Sequence, residues 1–248
     1  MIRPQVIAHR GSRATHAENS WAAFEAAVGA GADAIECDVQ STRDGVLLIR
    51  HDLALGQRPL AECSAAEVDA QEPGLVRLAD LLEWAPRSNI GLLIELKDPG
   101  IALRVGALVA TSHWHDRITI GGFHGPALAA LKARTPDVRT SLMLGTVVAP
   151  VDLVRLAQAY RADGVHPCWE HRAPAPHQLL DAAAVAQVRQ AGLALTLWHE
   201  ERENELQALV ALGPDAICSD DPALLRRIVD RAVSSTTARP GRASQETS

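Results

Sequence analysis

The chain has 248 residues, 47% of them hydrophobic, and a formal net charge of −6. That is enough apolar sequence for one large core, and the length suits a single barrel domain. The lack of Lys or Arg runs excludes a basic nucleic-acid-binding surface, and no apolar run approaches the roughly 20 residues that cross a bilayer.

The cysteines and the N-terminal residues indicate the cellular compartment of the protein. The four cysteines are widely spaced with no CxxC pair, which predicts reduced and mostly buried thiols. Residues 2–9 have the pattern of a strand rather than of a secretory leader. We therefore expect a cytoplasmic protein without stable membrane insertion.

In chain order, short β-like runs alternate with longer helical stretches. A strand at Val6–His9 is followed by a helix at Ser20–Ala30, where Trp21, Phe24 and Val28 recur at helical spacing. The other strands are predicted at Ala34–Val39, Leu92–Leu96, Ile118–Phe123, Arg139–Met143, Gly164–Pro167, Leu193–Trp198 and Ala216–Ser219, with helices near residues 76–85, 101–112, 126–134, 151–161, 177–191, 201–212 and 222–233. Eight strands each followed by a helix predict an α/β fold, a single (β/α)8 TIM barrel. An open doubly wound sheet is the alternative, but no GxGxxG follows the first strand.

Three segments fall outside this alternation. Val46–His51 comes after only Gln40–Gly45, too few residues for a parallel crossover, so we expect an antiparallel hairpin around Asp44-Gly45. Residues 53–75 break the pattern and are expected to form a compact insertion above the barrel mouth. The polar tail, residues 234–248, is expected to be disordered after a barrel domain of residues 1–233.

Carboxylates gather at the C-terminal strand ends, where barrels of this kind place their active sites. Glu36 and Asp38 are two apart on one strand, so both side chains project to the same face. Glu95 follows on the next barrel strand. Because adjacent buried carboxylates repel one another, the trio predicts a bound divalent cation, and all-oxygen ligands favour Mg²⁺ or Ca²⁺ over zinc.

Histidines and cations flank this trio. His9 ends the first strand, and the hairpin is expected to bring His51 roughly opposite Asp38, giving two imidazoles for acid–base cleavage of a P–O bond. Arg10 and Lys97 are the nearby cations that would stabilise charge on the phosphate oxygens. Phe123, His166 and Trp198 also end strands and are predicted to contact the substrate.

These motifs together resemble one known family. The segment IAHRGSRATHAENSWAAFEAAVGAGADAIECDVQSTRDGVLLIRHD is similar to the opening of the glycerophosphodiester phosphodiesterases, LLIELKD to their Glu-x-Lys strand, and AICSDDPALL to their last strand and helix. The resemblance implies hydrolysis of a small glycerophosphodiester to sn-glycerol 3-phosphate and an alcohol. It implies metal ligands at Glu36, Asp38 and Glu95, an acid–base pair at His9 and His51, and phosphate contacts from Arg10 and Lys97.

Some positions depart from that family, and other functions stay open. The usual Trp-Thr-Val-Asn reads Trp198-His199-Glu200-Glu201 here, and the customary segment after His51-Asp52 is missing. These departures do not touch the metal ligands or the histidines, but they leave the identity of the alcohol open; the metal used and the oligomeric state are open as well. The alternatives are a phosphodiesterase of the lysophospholipase D type and a non-catalytic barrel that binds glycerol phosphates. Retention of both histidines and all three carboxylates favours an enzyme.

Overall fold

The computed structural model describes residues 3–169 and 173–237. The strands are β1 (Gln5–His9), β2 (Ala34–Ser41), β3 (Leu47–Ile49), β4 (Ala54–Leu55), β5 (Arg58–Pro59), β6 (Gly91–Leu96), β7 (Ile118–Gly122), β8 (Arg139–Leu144), β9 (Gly164–Pro167), β10 (Ala194–Leu197) and β11 (Ala216–Ser219). The helices are α1 (Trp21–Gly29), α2 (Ala65–Gln71), α3 (Leu78–Arg87), α4 (Ala102–Ala110), α5 (Gly125–Arg134), α6 (Pro150–Ala159), α7 (Ala182–Gln190), α8 (Glu203–Leu212) and α9 (Pro222–Thr237).

Eight of these strands close into a parallel barrel. The order is β1-β11-β10-β9-β8-β7-β6-β2, and β1 also pairs with β2 to complete the ring. Helices follow the strands and cover the outside of the barrel. The fold is therefore the predicted TIM barrel.

Strand periodicity sorts the side chains between two cores. Alternate residues face outward and join the large core between the strands and the helices. The others face the barrel axis, where Ile7, Leu93 and Met143 form a smaller cluster. Gly121 makes room for it, because a Cβ there would lie 2.5 Å from the Met143 side chain. The strand-end residues lie above this filled centre, so the site is a cleft and not a channel.

The hairpin forms as expected, but its register differs from the prediction by one residue. A two-residue turn at Asp44-Gly45 would pair Asp38 with His51. Instead Thr42 N donates to Val46 O at 2.9 Å, which leaves a three-residue loop with Gly45 at φ +86°. The backbone of Arg50 therefore lies opposite Asp38, with its N–H 2.8 Å from the Asp38 carbonyl oxygen.

The insertion above the mouth is more ordered than its sequence indicates. It holds the β4–β5 ribbon and α2, which Ser64 and Glu67 cap reciprocally. Its own small core packs Leu55, Leu60 and Val68 beneath the hairpin. Helix α2 escaped prediction because seven residues show too little periodicity.

The C-terminal helix is longer than the sequence predicts. Helix α9 extends to Thr237, past the predicted end at residue 233, and the rest of the tail, residues 238–248, lies outside the described residues. Within the described ranges, no helix has the length and apolar character needed to cross a membrane. As expected, the thiols are mostly buried: Cys37, Cys63 and Cys218 are buried and form no disulfide, and Cys168 is partly buried.

Candidate active site

Three carboxylates meet at the C-terminal ends of β2 and β6. Asp38 lies beside Glu95 in the parallel register. Glu36 lies two residues before Asp38 on the same strand, so its side chain points to the same face. All three are at most 2% exposed, and one oxygen from each lies within 4.8 Å of the others. The predicted trio is thus assembled in the barrel interior.

The electrostatics of this trio are unbalanced. Burial raises the pKa of Glu36 well above its usual range, and the charges of Asp38 and Glu95 raise it further. Burial likewise raises the pKa of Glu95, against the lowering effect of Lys97. Burial also acts to raise the pKa of Asp38, but Lys97 and Arg10 together lower it. Asp38 is therefore the anionic centre of a cluster in which Glu36 resists ionisation.

A divalent cation fits this cluster. Glu36 Oε1 and Glu95 Oε2 are buried and have no hydrogen-bond partner among the described residues. Leaving such oxygens desolvated and unpaired is costly, and a hard cation with oxygen ligands would satisfy them. Glu36, Asp38 and Glu95 would hold it.

The two predicted phosphate ligands, Arg10 and Lys97, both reach the carboxylates. Lys97 Nζ lies 2.8 Å from Glu95 Oε1 and 3.2 Å from Asp38 Oδ1. Arg10 Nε lies 3.1 Å from Asp38 Oδ2, and the Arg10 backbone N–H donates to Glu36 Oε2 at 3.0 Å. Both predicted cations therefore lie directly beside the carboxylate cluster.

The turn after β1 explains how Arg10 arrives there. Arg10 has φ +55° and Gly11 φ +83°, so the chain reverses directly after His9. Gly11 packs against α1 so closely that a Cβ would lie 2.7 Å from Ala23 Cβ. His-Arg-Gly is thus a turn that needs glycine at its third position.

The same loop holds two residues that were not assigned a role from the sequence, one a hydrogen-bond donor and the other an acceptor. Asn19 is buried and donates from Nδ2 to Asp38 Oδ2 at 2.9 Å. Glu18 accepts from Arg10 Nη1 at 3.0 Å. The Glu-Asn pair of the resemblance was the available signal, and it supplies the supports that hold Asp38 and Arg10.

His9 is buried between two acids. The registers of β1 with β2 and β11 bring it beside Glu36 and Asp220. Its Nδ1 lies 2.6 Å from Asp220 Oδ1, while Nε2 lies 3.9 Å from Glu36 Oε2 and lacks a hydrogen bond to any described residue. Burial lowers the pKa of His9 to about 4. The ring is therefore neutral at pH 7, with Nδ1–H donated to Asp220 and a free lone pair on Nε2.

The loop after β10 supports His9 from the other side. His199 stacks on the His9 ring at a centroid distance of 4.5 Å, and its Nδ1 lies 3.1 Å from Glu201 Oε1. Glu201 also accepts from the Asp220 backbone N–H at 3.1 Å. His9, His199 and Asp220 are close enough to form a second cation site. In this structure, hydrogen bonds to Asp220 and stacking on His199 hold the His9 ring in place.

His51 lies at the rim rather than in the interior. Its side chain is 36% exposed, and Nδ1 lies 3.0 Å from Asp52 Oδ1. Its charge nevertheless contributes to lowering the pKa values of Asp38 and Glu95. His51 therefore lies near enough to the carboxylate cluster to act on it electrostatically and, unlike His9, is open to solvent.

The three predicted aromatic ligands differ in accessibility. Trp198 contacts His9 at a centroid distance of 5.6 Å, and Phe123, half exposed, lies 6.1 Å from Trp198. His166 lies 4.8 Å from Trp198 but is fully buried, and burial lowers its pKa to about 3. Phe123 is thus open to solvent, Trp198 is partly buried and His166 is fully buried.

The sequence matches the model of the Glycerophosphoryl diester phosphodiesterase family over residues 9–224. The chain belongs to this family. A glycerophosphodiester phosphodiesterase of Caldanaerobacter subterraneus is 26% identical over 92% of this chain and 98% of its own. One of Bacillus altitudinis is 28% identical over 92% of this chain and 96% of its own.

Solved structures of family members share the fold. The glycerophosphodiester phosphodiesterase of Agrobacterium tumefaciens superposes with a TM-score of 0.76 at 24% identity, covering 90% of this chain and 99% of that one. A phosphodiesterase of Oleispira antarctica, solved with the product sn-glycerol-3-phosphate, gives a TM-score of 0.77 at 23% identity, covering 92% of this chain and 97% of that one. This member of the family is accordingly a phosphoric diester hydrolase built on a TIM barrel.

Proposed function

We propose that this phosphodiesterase hydrolyses glycerophosphodiesters to sn-glycerol 3-phosphate and an alcohol, using a divalent metal ion and two histidines. The observation that carries the proposal is the buried carboxylate trio with two unpaired oxygens beside the neutral ring of His9. The product bound by the Oleispira antarctica relative is of the same chemical class.

His9 acts as the general base. Its Nε2 lone pair takes a proton from the attacking hydroxyl or water, while its Nδ1–H keeps donating to the Asp220 carboxylate. The Asp220 carboxylate fixes the tautomer and stabilises the imidazolium that forms, as a buried carboxylate does for a catalytic histidine. Because burial disfavours the imidazolium, the base is unprotonated at neutral pH.

His51 acts as the general acid. Its place at the solvent rim suits delivery of a proton to the departing alcohol oxygen as the P–O bond breaks. Arg10 and Lys97 contact the non-bridging oxygens, which gather charge in the transition state. Trp198 and Phe123 form the wall against which the rest of the substrate lies. His166 keeps its predicted place among the substrate contacts: its ring lies 4.8 Å from that of Trp198, and its two ring nitrogens are buried with no hydrogen-bond partner among the described residues.

The metal site is assigned to Glu36, Asp38 and Glu95, with Mg²⁺ or Ca²⁺ as the ion. When bound, the ion supplies Lewis-acid stabilisation of the phosphoryl oxygens. The all-oxygen ligand set and the lack of any cysteine or imidazole in the trio favour a hard cation.

A substrate panel with varied metals tests this function. Purified protein is assayed with glycerophosphocholine, glycerophosphoethanolamine and glycerophosphoglycerol in chelator, then in Mg²⁺, Ca²⁺, Mn²⁺ or Zn²⁺. We expect release of glycerol phosphate from at least one diester, restored best by Mg²⁺ or Ca²⁺. Full turnover in strong chelator, or no turnover of any diester with any ion, contradicts the proposal.

A further inference from the structure

A second group of possible metal ligands lies next to the carboxylate trio. His9, His199 and Asp220 each offer one ligand atom, and these three atoms lie within 4.8 Å of one another. His9 ends β1, His199 follows β10 and Asp220 follows β11, and these three strands are consecutive neighbours in the barrel. Closure of the barrel therefore brings together two imidazoles and a carboxylate from distant parts of the chain.

This group, here called the His–Asp cluster, differs in chemistry from the trio. The trio offers only carboxylate oxygens, which suit Mg²⁺ or Ca²⁺. Two imidazoles and one carboxylate are instead ligands that zinc binds, and imidazole also suits other late transition metals. The two clusters should therefore select different ions although they are adjacent, with His9 Nε2 only 3.9 Å from Glu36 Oε2.

Carboxylates already orient the His–Asp cluster. Asp220 Oδ1 lies 2.6 Å from His9 Nδ1, while Asp220 Oδ2 lies 3.5 Å from Arg13 Nε. His199 Nδ1 lies 3.1 Å from Glu201 Oε1, and the same oxygen accepts from the Asp220 backbone N–H at 3.1 Å. A carboxylate that binds one ring nitrogen is the usual outer partner of a metal-ligating histidine. Glu201 is placed to be that partner for His199.

A metal ion needs only small movements to enter the cluster. The side chains of His199 and Asp220 are 17% and 19% exposed, so the cluster is open to solvent on their side. Ligand atoms on tetrahedral zinc lie roughly 3.3 Å apart, because each bond is about 2 Å long. The 2.6 Å contact between His9 and Asp220 would open by less than about 1 Å, and the wider contacts would close by up to about 1.5 Å.

The sequence departs from the family pattern at this place. The usual Trp-Thr-Val-Asn has neither an imidazole nor a carboxylate, whereas Trp198-His199-Glu200-Glu201 has both. The departure supplies one ligand of the cluster, His199, and the carboxylate that orients it, Glu201. Nothing in the proposed hydrolysis requires either residue to contact the substrate, which leaves their chemistry available for another ligand.

We propose that the His–Asp cluster is an inhibitory Zn²⁺ site. The inhibition rests on the proposed function, in which His9 Nε2 is the general base. Zinc can bind His9 at Nδ1 only in the tautomer that carries its proton on Nε2. The proton therefore moves from Nδ1 to Nε2, none leaves the ring, and Nε2 can no longer accept a proton from the nucleophile. Zinc binding and catalysis thus exclude each other.

The first test measures diester hydrolysis with increasing Zn²⁺ in saturating Mg²⁺ or Ca²⁺, each variant relative to its own zinc-free rate. Zinc should inhibit the wild type, and a large excess of the activating ion should not relieve the inhibition, because the two ions bind different clusters. His199→Phe keeps an aromatic ring against His9 but has no ligand nitrogen. It should need at least about tenfold more Zn²⁺ for half-inhibition, since even the loss of an outer partner typically weakens metal binding about 10–100-fold.

His177→Phe is the matched control. His177 also pairs with a buried glutamate, with its Nδ1 2.7 Å from Glu205 Oε2, but it lies outside the His–Asp cluster. Its zinc inhibition should equal that of wild type. Circular dichroism checks that both phenylalanine variants fold.

Metal binding without substrate separates this inference from the proposed function. The probe is Co²⁺, titrated in a large excess of Mg²⁺ and followed by its visible d–d absorption. Wild type and His177→Phe should bind a single Co²⁺, whereas His199→Phe and Asp220→Asn should lose this absorption. That result supports the metal site even if no diester is hydrolysed. Unchanged Co²⁺ binding in His199→Phe overturns the proposal, as does zinc activation or a zinc inhibition that excess Mg²⁺ removes.

Discussion

His9 combines burial with one ring nitrogen that no described residue binds. The 2.6 Å contact with Asp220 fixes Nδ1 as the protonated nitrogen, and burial lowers the pKa to about 4. Nε2 is thereby left as a proton acceptor in the cleft. His51 has the opposite setting, since it is exposed at the rim beside Asp52.

This difference predicts that His51, and not His9, becomes dispensable when the substrate carries a good leaving group. A nitrophenyl phosphodiester needs little protonation of its departing oxygen, so His51→Ala should recover much of its rate on that substrate. His9→Ala should not, because the base is still needed. On a natural diester each variant should lose about 10²–10⁴-fold in kcat. Equal losses of both variants on both substrates would instead indicate two hydrogen-bond donors to phosphate.

Asp220 is predicted to act through His9. Asp220→Asn keeps the shape but permits the other His9 tautomer and removes the charge that stabilises the imidazolium, so kcat should fall roughly 10²-fold or more. The measurement is a pH–rate profile in saturating metal. The acidic limb, which reports protonation of the base, should move to lower pH because the raising effect of Asp220 on the pKa is lost. An unmoved limb with wild-type kcat would remove Asp220 from the site.

At the scale of elements, the β1–α1 turn determines where the charged groups lie. Arg10 and Asn19 both have φ +55°, and both reach Asp38. Gly11 lies between them in the chain and packs against α1. One tight turn therefore couples the docking of a helix to the support of Asp38, one of the three clustered carboxylates.

Gly11→Ala is predicted to lower the unfolding free energy by more than the cost of placing alanine at a positive φ. Gly74 provides the matched control, because its φ of +87° is close to the +83° of Gly11 but nothing lies within 4 Å of its Cβ position. Gly74→Ala should cost about 1 kcal/mol of unfolding free energy for the left-handed conformation. Gly11→Ala should cost about 2–4 kcal/mol, because its Cβ also collides with Ala23. Urea unfolding of both variants checks this, and equal losses would show that the contact with α1 relaxes freely.

At the scale of the whole molecule, the barrel closes around a cluster of acids that it cannot neutralise by itself. Lys97 and Arg10 offset Asp38, but Glu36 and Glu95 keep raised pKa values. A carboxyl whose pKa is raised in the folded state favours folding only while it is protonated. The stability that such a group contributes is lost as the pH rises from the ordinary pKa of the group, which is 4.5 for Glu36, through its raised pKa in the folded state.

Glu36→Gln should therefore stabilise the metal-free protein relative to wild type, increasingly so as pH rises above about 4.5. The unfolding free energy is measured in urea with strong chelator from pH 4.5 to 8. A constant difference across that range would mean that Glu36 ionises as readily in the folded chain as in the unfolded one.

Saturating metal should reverse that order. An ion that binds only the folded state at a concentration 100 times its Kd adds about 2.7 kcal/mol to wild type. Glu36→Gln should gain much less and should lose metal-supported turnover while keeping a folded barrel by circular dichroism. An equal metal shift in both proteins would exclude Glu36 as a ligand.

The sequence by itself determined the barrel and the gathering of Glu36, Asp38 and Glu95 at one end of it. Alternating apolar periods predict eight βα units, and the two-residue strand period places Glu36 and Asp38 on one face. Because parallel strands of a barrel all end at the same mouth, His9, Arg10, Glu95 and Lys97 were expected there too.

Only the tertiary structure decided the contacts that depend on closure and side-chain packing. Asp220 meets His9 because β1 pairs with β11, more than 200 residues away in the chain. The three-residue loop at Gly45 sets Arg50 rather than His51 opposite Asp38, since a turn signal does not specify loop length. His166 and Phe123 both end strands, but His166 is fully buried and Phe123 is half exposed, because side-chain packing and not strand position decides how far each is exposed.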